Sequence, residues 1–109
     1  MKTIKTFVSI EPMFDTSILK GVIEDTLEYV DQYLIGLLSG NTLKTRILPE
    51  EINLALDILR KEGKEIYLKH SLRELPEVNY IKGIEDDFSR LELYNEDGGV
   101  EQRPLLNII

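Results

Sequence analysis

The chain has 109 residues, 42% of them apolar and 30% charged, with a formal net charge of −7 at neutral pH. That balance suits one globular domain with a modest core. So acidic a chain, with no sizeable Lys/Arg cluster, repels phosphate backbones and anionic membranes, so neither nucleic acid nor membrane is expected as a partner. Cysteine is absent and histidine occurs once, which removes disulfides, thiolate catalysis, thiolate zinc sites, cysteine-held iron–sulfur clusters and sites built on several imidazoles. Met1-Lys2-Thr3-Ile4-Lys5 lacks the apolar stretch of a signal peptide, and no run approaches the ~18 apolar residues of a membrane span. A soluble, cytoplasmic protein is the expectation.

The first predicted strand is Ile4 to Ile10, rich in β-branched and aromatic residues. Glu11-Pro12 is expected to end it, because proline cannot donate to a ladder. Asp15-Thr16-Ser17 offers N-cap side chains for a helix. That helix would carry Ile18, Leu19, Val22, Ile23, Thr26, Leu27 and Val30 on one side, with Glu24, Asp25 and Glu28 largely on the other. Tyr33 to Leu38 is an unbroken apolar-and-glycine run followed by the polar Ser39-Gly40-Asn41, the pattern of a strand buried on both faces.

A polar loop to Arg46 precedes the clearest helix. Pro49 suits its first position, Glu50 and Glu51 complement the positive end of its dipole, and Ile52, Ala55, Leu56 and Leu59 form a stripe that Leu54 and Ile58 widen. Arg60 and Lys61 fill the last turn, and Gly63 is a left-handed stop. Glu65 to Lys69 is a third strand, running into His70-Ser71. Each connection is long enough for a right-handed crossover between parallel neighbours.

These elements predict one α/β domain over residues 1–109: a β-α-β-α-β core over 1–72, a parallel half-barrel-like sheet flanked by helices, and a C-terminal extension over 73–109. In that extension Leu75-Pro76-Glu77 reads as a turn and Leu91 to Arg103 as a hairpin around Asn95-Glu96-Asp97-Gly98-Gly99. Leu105 to Ile109 is apolar enough to need a partner surface.

Ligands of parallel α/β sheets sit beyond the carboxyl ends of the strands. Those ends carry Glu11, then Ser39, Gly40 and Asn41, then Lys69 and His70, with Arg46 ahead of the second helix as a further cation. Each has a plainer alternative. Glu11 could cap a helix, Lys69 could be a solvated charge, His70 could satisfy a carbonyl, Ser39-Gly40-Asn41 could be turn chemistry, and Arg46 could lie on the surface.

Phe7-Val8-Ser9-Ile10-Glu11-Pro12, Tyr33-Leu34-Ile35-Gly36-Leu37-Leu38-Ser39-Gly40, Arg46 and Glu65-Ile66-Tyr67-Leu68-Lys69 resemble the later strands of radical S-adenosylmethionine proteins, over roughly residues 6–72. The resemblance implies a partial (β/α) barrel holding S-adenosylmethionine and substrate at the strand C-termini, with Glu11, Ser39, Gly40, Arg46 and Lys69 lining its mouth. The family's CxxxCxxC cluster motif is absent, so the chain binds no iron–sulfur cluster of its own and performs no radical chemistry by itself.

The expectation is a cluster-less half-barrel. It would keep a small-molecule site, of S-adenosylmethionine type, or complete a partner chain. Unclosed sheet edges favour a homo-oligomer or a protein partner supplying the other half. The alternatives are a non-catalytic interaction module and a small hydrolase or transferase using Glu11, Lys69 and His70.

Overall fold

The computed structural model of the chain describes residues 5–13, 15–37, 46–91 and 106–108. Strands β1 (Phe7–Met13), β2 (Gln32–Leu37) and β3 (Glu65–Leu68) alternate with helices α1 (Ile18–Thr26) and α2 (Pro49–Lys61). A one-turn helix α3 (His70–Arg73) follows, and a short strand β4 (Leu106–Ile108) completes the set. The sheet order is β3-β2-β1-β4, and every pairing is parallel. Strands β1, β2 and β3 are therefore neighbours in sequence order, as in a barrel wall. The α/β reading with a parallel, half-barrel-like sheet holds.

Strand alternation sorts the side chains. Val8, Ile10, Tyr33, Ile35, Ile66 and Leu68 belong to one buried cluster with Leu19 and Ile23 of α1 and Ile52, Ala55, Leu56 and Leu59 of α2. Both helices thus cover the same face, which is what consecutive crossovers of one hand produce. The opposite face starts with a smaller cluster of Phe7, Leu34 and Leu91, with Tyr67 packed on it. Farther along the strands that face turns polar. Within the main core Tyr33 is fully buried and its hydroxyl lies 2.6 Å from Thr26 Oγ1; burial raises its pKa above the usual phenol value, so it stays protonated.

Several elements differ from the sequence expectation. β1 does not stop at Glu11-Pro12 but runs on to Met13, and its register against β2 passes from Ile10↔Ile35 to Met13↔Leu37. One residue is extra on β1, a bulge, and a bulge is where a strand tolerates proline. α1 ends at Thr26 rather than Val30. The Thr26 hydroxyl bonds back to the Val22 carbonyl at 2.8 Å, and its own carbonyl accepts from both Tyr29 and Val30 N–H groups. α2 agrees throughout: Pro49 opens it, and Gly63, at φ 70°, turns the chain after it.

The expected hairpin over Leu91 to Arg103 lies almost wholly outside the described residues. The apolar C-terminal stretch does find a surface: Leu106, Asn107 and Ile108 pair in parallel with Val8, Ser9 and Ile10. On the far edge, the Leu68 N–H donates to the Glu85 carbonyl at 2.8 Å, so the extension meets β3 as well.

Glu85 anchors that extension. Its carboxylate is buried and takes two bonds from the Arg60 guanidinium, at 2.9 and 2.7 Å, and one from the Ile81 N–H at 2.8 Å. Arg60 also donates to the Asn79 carbonyl at 2.6 Å. Among the described residues no buried side-chain nitrogen or oxygen lacks a partner. Removing the guanidinium would strand a buried carboxylate, which costs about 3–5 kcal/mol. Arg60→Ala should therefore lose close to that amount in urea unfolding, whereas Leu54→Ala, on the exposed side of the same helix, should stay within about 0.5 kcal/mol.

Candidate ligand site at the strand ends

One step beyond the pairs Ile10↔Ile35 and Ile35↔Leu68 lie Glu11, Gly36 and Lys69. By alternation all three belong to the face away from α1 and α2. Glu11 Oε2 and Lys69 Nζ are 2.7 Å apart. Strands β1 and β3 both flank β2, which puts them about 10 Å apart. The two side chains can meet only by crossing β2, and Gly36 is where they cross. A Cβ built on Gly36 would lie 2.8 Å from Lys69 Cδ, 3.2 Å from its Cγ and 3.3 Å from Glu11 Oε2. The glycine leaves room for this close approach and is not there for its backbone angles.

Both partners are held from behind. The Ser9 hydroxyl, two residues back on the same face of β1, donates to Glu11 Oε1 at 3.1 Å. The Lys69 N–H donates to the Ile35 carbonyl at 2.9 Å, and the Lys69 carbonyl accepts from Leu72 at 3.0 Å, so this residue joins the β3 ladder to α3. Ser71 of α3 accepts from the Leu37 N–H at 3.1 Å, tying the same turn to the end of β2. The pair remains open to solvent, with Lys69 49% and Glu11 28% exposed as side chains. At that exposure an ion pair stabilises the fold by only about 0–1 kcal/mol.

The other candidates are placed differently. Arg46 pairs in parallel with Asp15 as an isolated bridge, and its guanidinium contacts Asp15 Oδ1 at 3.3 Å and Glu51 Oε1 at 2.8 Å. Thr16, buried between them, donates to Glu51 Oε1 at 2.6 Å and accepts from the Leu48 N–H at 3.0 Å. Arg46 therefore fastens the end of β1 to the start of α2, and two carboxylates already answer its charge. His70 is exposed and pairs with Glu74, one turn along, at 2.7 Å between Nε2 and Oε1. Ser39, Gly40 and Asn41 lie outside the described residues. Among the described residues no group of His, Asp and Glu is arranged to hold a metal ion, and no helix is long and apolar enough to cross a membrane.

Two carboxylates in the Arg46 cluster titrate low. Asp15 falls below its ordinary 3.8, first through the Ser17 hydroxyl and N–H and then through Arg46. Glu51 falls below its ordinary 4.5, first through the Thr16 hydroxyl and then through Arg46. Lowered folded-state pKa values mean stability that is complete above the unfolded values and lost as pH falls through the folded ones.

Two measurements follow from these contacts. In urea unfolding, the coupling between Glu11→Gln and Lys69→Met should be positive but no more than about 1 kcal/mol, and should vanish when Gly36→Ala displaces the lysine stem. Thr16→Val should flatten the loss of stability below about pH 4.5, the range in which a hydrogen-bonded Glu51 takes up its proton; an unchanged acid slope would contradict that role. Comparison with protein-family models, with curated proteins and with solved structures finds no match for the chain.

Proposed function

We propose that this chain is a radical-S-adenosylmethionine-like half-barrel that works as a small-molecule binding unit, with its ligand site at the carboxyl ends of β1, β2 and β3. The observation that carries the reading is the Glu11–Lys69 pair drawn together over Gly36. A carboxylate and an ammonium converge on the open end of a parallel sheet, where such folds hold ligands. Gly36, next to last in an otherwise bulky strand, leaves room for the lysine stem to pass. The ligand in this reading is S-adenosylmethionine or one of its breakdown products. With no cysteine in the chain, cluster ligands and radical generation fall to a partner that supplies the other part of the barrel.

A second reading, a non-catalytic interaction module, has one observation in its favour. Ile81, Ile84 and Phe88 are large, partly exposed apolar side chains on the extension, Phe88 with its ring edge-on to Tyr67, and exposed apolar groups suit protein contacts.

Calorimetric titration of the full chain with S-adenosylmethionine and methylthioadenosine, with light scattering on the same sample, separates the two. The first reading expects saturable binding that weakens at least about tenfold, or 1.4 kcal/mol, in Glu11→Gln and in Lys69→Ala, with urea midpoints little changed. Equal affinity in both variants would sink it. Absent binding alongside a defined oligomer that Phe88→Asp dissociates would instead favour the interaction module.

A further inference from the structure

We infer that the Glu11–Lys69 pair selects a zwitterionic head group, an ammonium and a carboxylate on one carbon as in an α-amino acid, over ligands carrying only one of those charges. The inference rests on the strand-end site proposed above and names its ligand class. An ammonium has three donors, and the 2.7 Å bond to Glu11 Oε2 engages one of them. The carboxylate accepts at two oxygens, and Ser9 holds Oε1 so that Oε2 is the one turned toward the lysine. A zwitterion can dock on such a pair head to tail, its carboxylate on Lys69 and its ammonium on Glu11, without separating the two protein charges.

A simple anion gains from Lys69 but meets Glu11 at the same distance, and a simple cation meets the converse. Of the described arginines, Arg46 is already answered by Asp15 and Glu51, and Arg73 turns its Nε to the Leu68 carbonyl. The net charge of −7 disfavours anions at longer range. Gly36 adds the space: the lysine stem and the carboxylate lie over bare backbone, so the pair is presented along the sheet surface rather than behind a side chain.

The test uses the full chain, ligand-observed NMR, and four probes at low ionic strength: L-methionine, 4-(methylthio)butanoate, 3-(methylthio)propylamine and methylthioadenosine. Methionine is expected to bind at least about tenfold more tightly than either single-charge analogue. Glu11→Gln should remove the preference over the butanoate, and Lys69→Met the preference over the propylamine. If methylthioadenosine binds while methionine and its two analogues are indistinguishable, the head-group inference is overturned and the strand-end site stands. If none of the four binds, both fall. A preference for methionine that survives both substitutions also overturns the inference, because the selectivity would then lie elsewhere.

Discussion

Two strands that flank a third in a sheet stand about 10 Å apart, and long side chains on the outer two meet most directly where the middle strand withholds a side chain. Gly36 meets that condition between Glu11 and Lys69. Other contacts hold the site around it. The carboxylate is turned by Ser9, the lysine backbone is shared between the β3 ladder and α3, and Ser71 closes the turn against β2. A side chain at 36 would press on the lysine stem, which would have to move aside.

The core explains why this face is free to carry charge. α1 and α2 both pack on the side of Val8, Ile10, Tyr33, Ile35, Ile66 and Leu68. The apolar requirement of the fold is largely met there, by a continuous cluster of aliphatic side chains. Among the described residues the opposite face carries the smaller Phe7, Leu34, Leu91 and Tyr67 patch near the start of the strands, with Phe88 edge-on to Tyr67. Beyond it, the strand ends can hold polar groups at small cost to stability. The extension then meets both sides of the three-strand core, with β4 beside β1 and Glu85 against β3. An edge strand left bare is a template for unwanted pairing, and these contacts limit that exposure.

The charged clusters divide by burial. Arg60 and Glu85 form a shielded, bidentate pair whose loss would strand a charge, so they act on stability. Arg46, Asp15 and Glu51 lie nearer solvent and join the end of β1 to the head of α2 through the buried Thr16 hydroxyl. The Glu11–Lys69 pair is also exposed, with the buried Ser9 hydroxyl holding its carboxylate. It is supported from behind and open in front, the arrangement a ligand can reach.

Much of the fold was legible in the residues alone. Hydrophobic periodicity, Pro49 and Gly63 specify α2 almost to the residue, and the bulky apolar runs mark β2 and β3. Those signals are local: they depend on spacing along one segment and on the backbone preferences of proline and glycine. The carboxyl-end positions of Glu11 and Lys69 were legible for the same reason, since strand direction and crossover length place them at one end of the sheet. The bulge that carries β1 past Pro12, the early end of α1 and the parallel seating of β4 required partners distant in sequence. So did the meeting of Glu11 with Lys69, 58 positions apart in the chain, and the diversion of Arg46 to Asp15 and Glu51. Side-chain pairing across a sheet is decided by register and by what the intervening strand leaves empty, and only the tertiary structure supplies both.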